Sequence, residues 1–157
     1  MARRFTKIKY NKGNVFVAYE QGANEYSMKC NEMPRAEFIQ ALIDLQEEVI
    51  EMCELPESYL ERITVKSVSL NYGGKKETMG ATITASMELF NSNAPLNLNT
   101  PNKPVEPYAE GDYDDETLEK MCLTEDCVEK INTLINEANL YVDGKRAQGS
   151  LFDNSAA

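Results

Sequence analysis

Few residues in this chain belong to the types that usually carry enzyme chemistry. It contains no histidine and only four cysteines: Cys30, Cys53, Cys122 and Cys127. Without histidine, the commonest general base, the Ser-His-Asp triad and the mixed cysteine and histidine zinc sites are all excluded. No pair of Cys-x-x-Cys knuckles is present. The cysteines are therefore interpreted as small apolar residues of a reduced core rather than as metal ligands.

Two polar stretches have compositions that are found in metal or phosphate sites. The acids of residues 112–116 follow a glycine, but their spacing is not that of a calcium-binding loop. Residues 73–76 read Gly-Gly-Lys-Lys, without the Gly-x-x-x-x-Gly-Lys-Ser/Thr pattern of a phosphate loop, and fit a tight hairpin turn better. We therefore expect no catalytic residue, metal or cofactor, and a non-enzymatic protein. An activity built on carboxylates is the enzymatic alternative that remains.

The N-terminal region combines cations with aromatic rings. Residues 1–14 contain five cations and no acid, and aromatic residues recur from residue 5 to residue 26. Aromatic rings interleaved with Lys and Arg on a sheet can hold single-stranded nucleic acid by stacking bases and pairing phosphates, although strands also favour aromatic residues for packing alone. This pattern gives one functional alternative, a single-stranded nucleic-acid binder that uses Arg3, Arg4, Lys7, Lys9, Lys12, Tyr10 and Phe16.

The remainder of the sequence is acidic. The formal net charge is −10, and acids concentrate in residues 32–62 and 106–130. This balance disfavours a general nucleic-acid coat, because phosphate binding is driven by Lys and Arg. Solvated charged faces are the ordinary interpretation. The functional alternative is an anti-defence protein whose acidic surface imitates DNA or occupies a basic host partner.

Length and hydropathy indicate one domain with no membrane segment. A chain of 157 residues can bury a core without staples. No apolar run approaches the roughly 20 residues of a membrane helix, and no apolar stretch of a secretory signal follows the basic N-terminus. We expect a single domain over residues 1–146, a flexible C-terminal tail over 147–157, and a cytoplasmic location in a bacterial host cell.

Strand signals dominate two regions. A meander is predicted from strands at 6–10, 15–19 and 25–30, separated by Asn- and Gly-containing turns. Residues 63–90 predict a long hairpin whose second arm alternates apolar and small polar residues. On the first arm the apolar phase changes, which predicts a bulge near Lys66 or burial on both sides.

Helical periodicity appears twice. Apolar residues recur at three and four from Pro34 to Met52, and again from Val128 to Val142, where Thr124 is the expected cap and Gly144 the expected stop. Residues 91–116 are rich in Asn and Pro, which predicts no helix or central strand there. The segment is either a flexible linker or an ordered crossing loop, and its apolar residues favour a loop pinned to the body. The predicted fold is α+β, an antiparallel sheet of about five strands with two main helices packed on one face.

The C-terminal residues contain a recognisable pattern. Gln148, Leu151 and Phe152 match the Gln-x-x-Leu-Phe pattern of peptides that dock on the bacterial DNA sliding clamp. In this interpretation Gln148 takes a polar site, while Leu151 and Phe152 enter an apolar pocket and carry most of the binding energy. Gly149 stands where such peptides often have leucine, which predicts modest affinity.

Two stretches, 88–104 and 141–152, resemble small proteins that bacteriophages and prophages encode near recombination and replication genes. Neither stretch is a catalytic motif, so the resemblance implies phage DNA metabolism and no active-site residue. The leading hypothesis is a non-enzymatic phage accessory protein of DNA replication or recombination. Its expected partner is the sliding clamp or another replication or recombination protein, with single-stranded DNA as the alternative ligand and no membrane.

Overall fold

A seven-stranded antiparallel sheet is the largest element of the computed structural model, which describes residues 2–107 and 115–147. Its strands are β1 (Arg4–Asn11), β2 (Asn14–Gln21), β3 (Asn24–Cys30), β4 (Ile63–Gly73), β5 (Thr78–Met87), β6 (Leu96–Asn99) and β7 (Lys103–Pro104). The helices are α1 (Ala36–Ile43), α2 (Gln46–Met52), a 3₁₀ helix (Glu57–Arg62), α3 (Asp115–Lys120) and α4 (Glu125–Val142).

The sheet order joins the predicted meander to the predicted hairpin. The strands lie in the order β3-β2-β1-β4-β5-β6, and β7 pairs with β5. The first strand is therefore central, since it pairs with β2 on one side and with β4 on the other. The α+β prediction is confirmed, with two more strands than expected.

One face of the sheet is buried under the helices. Ile8, Val17 and Val68 are neighbours across three strands and are fully buried. They belong to one core with α1, α2 and α4, to which Leu45 and Ile131 contribute. Because side chains alternate along a strand, the residues between these positions point to the opposite face, which carries no helix of the described residues.

The first helical region differs from its prediction. The apolar periodicity from Pro34 to Met52 predicts one helix, but α1 and α2 are separate, with a break at Asp44 and Leu45. The Leu45 amide donates to the Leu42 carbonyl, a bond of the tighter 3₁₀ type. Leu45 is fully buried, as the apolar spacing predicts, but that spacing gives no signal for the bend itself.

The Asn- and Pro-rich segment is pinned to the sheet, as predicted. Its described residues form no central strand, but β6 and β7 pair with β5, and α3 begins at Asp115, inside the range for which no helix is predicted. Thr100 anchors this segment because its hydroxyl accepts from the Ile83 amide, and its own amide donates to the Ile83 carbonyl, both at 2.9 Å. Edge pairing tolerates proline, since an edge strand can leave one side of its backbone unpaired.

Local predictions at three positions are confirmed. The register of β4 against β5 shifts between Val65 and Ser67, which places the bulge at Lys66. The Thr124 hydroxyl caps α4 by accepting from the Cys127 amide at 3.1 Å. Gly144 ends α4 with a φ of +104°, a conformation that favours glycine.

The chain stays attached to the body up to the last described residue, because the Ala147 amide donates to the Met33 carbonyl at 3.0 Å. Gln148, Leu151 and Phe152 lie outside the described residues, as do Asp112 and Asp114 of the acidic loop. Within the described ranges, no helix is long and apolar enough to cross a membrane.

Candidate nucleic-acid interface

The uncovered face of the sheet carries polar side chains in cross-strand rows. Directly paired residues form one row from β3 to β6: Lys29, Phe16, Lys9, Ser67, Thr84 and Asn99. The next row contains Ser27, Ala18, Lys7, Ser69 and Thr82. We call these two rows together the lysine face.

Phe16 lies between two ammonium groups in the first row. It pairs with Lys9 on one side and Lys29 on the other. Neighbouring strands are about 4.8 Å apart, so the two lysines project from backbones separated by roughly 10 Å. Together with Lys7 they line a groove of about 450 Å³, in which the half-buried Phe16 ring is the aromatic surface.

The alternation of β2 explains why an aromatic side chain stands on an open face. Val15 and Val17 are fully buried in the core, so Phe16 between them must point the other way. The bulge at Lys66 brings a fourth lysine to the margin of this face, where its ammonium donates to the Asn11 side chain at 3.3 Å.

The lysine face keeps its positive charge among the residues that the structure describes. None of the salt bridges between described residues involves Lys7, Lys9 or Lys29. The acids that pair across these strands, Glu20 and Glu25, lie at one end of the face. Glu20 is itself held by Arg4, whose guanidinium lies 3.1 Å from the carboxylate.

The two predicted arginines are already engaged by the protein. Arg3 lies 2.7 Å from Asp143 and stacks over Tyr19, with 5.6 Å between the guanidinium carbon and the ring centre. The hydrogen bond to Asp143 outweighs burial and raises the pKa of Arg3. Arg4 pairs with both Glu20 and Glu77. Neither guanidinium is free to take a phosphate without losing these partners.

Tyr10 and Lys12 also lie away from the groove. The Tyr10 hydroxyl donates to the Met33 sulfur at 3.4 Å, on the helix-covered side of the sheet. Lys12 is exposed in the turn between β1 and β2, with a φ of +49°. Of the seven predicted residues, the structure therefore brings together Lys7, Lys9 and Phe16.

Two lysines of this surface were missed by the sequence prediction. Met28 and Cys30 share the buried phase of β3, so alternation already assigns Lys29 to the open face. Lys66 could not be assigned in this way, because its orientation depends on the bulge.

A second charged surface lies on the helix side of the molecule. Six acids line a groove of about 600 Å³, in which Ile50, Leu55 and Leu60 supply the apolar lining: Glu47, Glu48, Glu51, Glu54, Glu57 and Asp126. Glu48 is only 4% exposed. Its carboxylate lies 3.0 Å from the Lys130 ammonium, which also lies 3.0 Å from Asp126. We call this surface the acidic groove.

The lysine face has the chemical composition of a surface that holds single-stranded nucleic acid, with unpaired ammonium groups beside an accessible aromatic ring. Known protein families, curated proteins and solved structures contain no match to this chain. Beyond Lys9 the first row continues with Ser67, which is only 3% exposed, and then with the accessible side chains of Thr84 and Asn99. The Thr84 hydroxyl and the Asn99 amide can hydrogen-bond to sugar and base edges without adding charge.

Proposed function

We propose that this chain is a non-enzymatic protein of DNA replication or recombination that binds single-stranded nucleic acid on the lysine face. The observation that carries this proposal is the row Lys29, Phe16 and Lys9, in which two cations without a salt-bridge partner in the described part of the chain flank an aromatic ring on an open sheet.

Phosphate attraction and base stacking would act together on this surface. Lysines that neutralise phosphates release counterions and supply most of the affinity. A base stacked on an aromatic ring adds about 1–3 kcal/mol and tolerates any base. A base can stack on the Phe16 ring only if one of its own faces is free. In a duplex, neighbouring bases cover these faces. This geometry favours a single strand over a double strand.

Replacing the lysines of the row tests this proposal. We expect a labelled oligothymidylate to bind the wild type at about 50 mM salt. We expect Lys9→Ser with Lys29→Ser to weaken binding roughly tenfold in fluorescence anisotropy, because two of the three groove cations are lost. Phe16→Leu should weaken binding by about 1 kcal/mol or more, since it removes the stacking surface while keeping an apolar side chain.

The β4–β5 turn supplies a matched control. Lys75→Ser with Lys76→Ser removes the same charge from exposed positions away from the groove. We expect this variant to bind like the wild type. Equal loss in the control and in the row variant would point to net charge rather than to a site. Absence of binding by the wild type at low salt would refute the proposal.

We also propose that Gln148, Leu151 and Phe152 recruit the protein to the bacterial DNA sliding clamp. The supporting observation is that the described chain remains hydrogen-bonded to the body at Ala147, immediately before this sequence begins. A short peptide with two large apolar anchors can bind an apolar pocket with modest affinity.

The full-length protein should therefore bind a purified clamp in surface plasmon resonance, and Leu151→Ala with Phe152→Ala should abolish binding. Retained binding in this variant would contradict the proposal.

The acidic groove is the observation behind a third candidate, an anti-defence protein that occupies a basic host partner. We rank it lower, because most of these acids are solvated and Glu48 is already neutralised by Lys130. A DNA mimic should displace duplex DNA from a basic bacterial DNA-binding protein at near-equimolar concentration. Failure to displace it would remove this candidate.

A further inference from the structure

The loop between β5 and β6 presents apolar side chains to solvent. Every residue from Glu88 to Asn97 is exposed, and this stretch includes Leu89 and Phe90 of the loop and Leu96 at the start of β6. Phe90 is 85% exposed, more than any other large apolar side chain of the described residues. Exposed aromatic side chains grouped with other apolar residues often mark a surface that contacts a partner.

Arg62 underlies this loop and is fixed in position by three contacts. Its guanidinium carbon lies 4.7 Å from the centre of the Tyr59 ring and 4.3 Å from that of Phe90. Its Nε donates to the Glu88 carbonyl at 2.8 Å. The two terminal nitrogens make no hydrogen bond or salt bridge with any residue in 2–107 or 115–147.

These contacts prepare Arg62 to recognise a carboxylate. The planar guanidinium can bind both carboxylate oxygens through two parallel hydrogen bonds. Stacking on two rings and the bond from Nε remove rotational freedom before a ligand arrives, so less entropy is lost on binding. The exposed ring of Phe90 then offers an apolar contact directly beside the charged one.

The surroundings favour a peptide over a nucleic acid. Residues 88–99 contain no lysine or arginine, Glu61 precedes Arg62 in the chain, and the Glu88 backbone is hydrogen-bonded to Arg62. A polyanion would meet one cation and two acids here, whereas a single carboxylate next to an apolar side chain matches Arg62 and Phe90. In addition, β6 ends the sheet order, so its outer edge can pair with an extended segment about 10 Å, or two strand spacings, from the β4 side on which Arg62 lies.

We propose that Arg62, Phe90 and the edge of β6 form a docking site for an extended segment of a partner protein, in which a side-chain carboxylate neighbours a large apolar side chain. This site is independent of the lysine face, since its ligand is a peptide and its cation is a different residue.

Selection of short random peptides displayed on phage, with the whole chain as bait, tests this proposal. Peptides that bind the wild type are retained only if they do not bind the Phe90→Ser variant. We expect the retained peptides to place Asp or Glu beside Leu, Ile, Met or Phe. A synthetic copy of a retained peptide should lose about tenfold or more in affinity for Arg62→Gln and for Phe90→Ser. Replacing its acid by the matching amide should cause a similar loss for the wild type.

Three controls separate this site from general stickiness and from misfolding. Met121→Ser removes a 46% exposed apolar side chain elsewhere and should leave peptide affinity unchanged. Arg62→Lys keeps the charge but removes the planar fork, so it should bind as poorly as Arg62→Gln. Lys9→Ser with Lys29→Ser should bind the peptide normally. Thermal melts should match the wild type, because Phe90 is almost fully exposed.

Three results would overturn the proposal: no enriched sequence, enriched peptides without an acid, or affinity that changes less than about twofold on Arg62→Gln. Loss of oligothymidylate binding on Arg62→Gln would assign this arginine to the nucleic-acid site instead and would equally refute peptide docking. None of these results bears on the lysine variants, so the two proposals can fail separately.

Discussion

A charged side chain can bind a ligand only to the extent that its own protein leaves it unneutralised. Arg3 and Lys9 come from the same basic stretch of the sequence, yet Arg3 lies 2.7 Å from Asp143 while Lys9 stands in a row with Phe16 and Lys29. Composition counts both as available cations. The distinction depends on the packing of α4 against β1, which brings the C-terminal end of that helix to Arg3.

The buried carboxylate of Glu48 gives the first prediction. Glu48→Gln removes one of the two carboxylates that lie 3.0 Å from the Lys130 ammonium and leaves Asp126 in place, so we expect the free energy of unfolding to fall by about 2 kcal/mol. Glu47→Gln is the matched control. Glu47 lies 3.8 Å from the same ammonium but is 71% exposed, so its loss should cost less than about 0.5 kcal/mol. Urea titration of both variants measures the difference, and equal losses would contradict the assignment.

The second prediction concerns the Cys127 thiol. Burial, followed by the nearby Glu48 carboxylate, raises its pKa to about 12. At pH ~9 the folded thiol is then roughly a thousandth ionised, whereas the unfolded thiol is more than half ionised. We expect iodoacetamide to modify Cys127 only after unfolding, while the half-buried Cys30 reacts in the native protein. Mass spectrometry of labelled peptides checks this, and native labelling of Cys127 at the Cys30 rate would refute it.

The direction of this pKa shift also sets a direction for stability. The folded state holds the Cys127 proton more tightly than the unfolded state does. The stability that the protonated Cys127 thiol contributes is therefore fully present below the unfolded pKa of about 8.5. It is lost as the pH rises toward the folded pKa. Lys130 acts in the same direction, because hydrogen bonds to Glu48 and Asp126 outweigh its burial and raise its pKa.

Among the elements, α4 depends on its cap. Its first turn leaves backbone amides without helical partners, and the Thr124 hydroxyl accepts one of them from Cys127. We expect Thr124→Ala to lower the free energy of unfolding by about 1 kcal/mol. Thr124→Ser keeps the hydroxyl and should retain most of that stability. Chemical denaturation distinguishes them, and a serine variant as unstable as the alanine variant would show that the cap is not the cause.

Elements with a clear period were predictable, and elements defined by tertiary pairing were not. The alternation of β5 and the cap at Thr124 follow from local sequence alone. In contrast, β6 exists because Leu96–Asn99 pairs with β5 across the loop 88–95, a pairing that no local pattern among Asn and Pro residues indicates. The break at Asp44 and Leu45 is similar, since the apolar periodicity runs through it without a change.

The candidate site was predictable to the same extent. Side-chain alternation along β1, β2 and β3 places Lys9, Phe16 and Lys29 on one face of the sheet. Only the pairing of these strands places the three residues in one row. The Arg62 site lay beyond sequence reasoning, because Tyr59, Arg62 and Phe90 belong to a 3₁₀ helix and a loop that meet only in the fold.

At the scale of the whole molecule, the two layers separate charge of opposite sign. The lysine face is the outer surface of the sheet layer, whereas the acidic groove lies among α2, the 3₁₀ helix and α4. A net charge of −10 therefore coexists with a local positive surface. The charges of the acidic groove lie farther from the lysine face than the Debye length, which is about 8 Å at physiological salt. Their effect at the lysine face is therefore largely screened.

Salt dependence tests whether this local surface or the net charge governs binding. Three phosphate contacts by Lys7, Lys9 and Lys29 predict a slope of about −2 for the logarithm of the affinity against that of the salt concentration, or roughly a twentyfold loss between about 50 and 200 mM salt. Lys9→Ser with Lys29→Ser should reduce the slope to about −0.7.

The acidic groove provides the complementary variant. Glu51→Gln with Glu54→Gln changes the net charge from −10 to −8, since each substitution removes one negative charge. It should leave the slope unchanged, because the number of counterions released depends on the phosphates contacted and not on the total charge of the protein. Anisotropy titrations at several salt concentrations measure all three slopes. A slope that follows net charge instead of the lysine row would mean that oligonucleotides bind without a defined site.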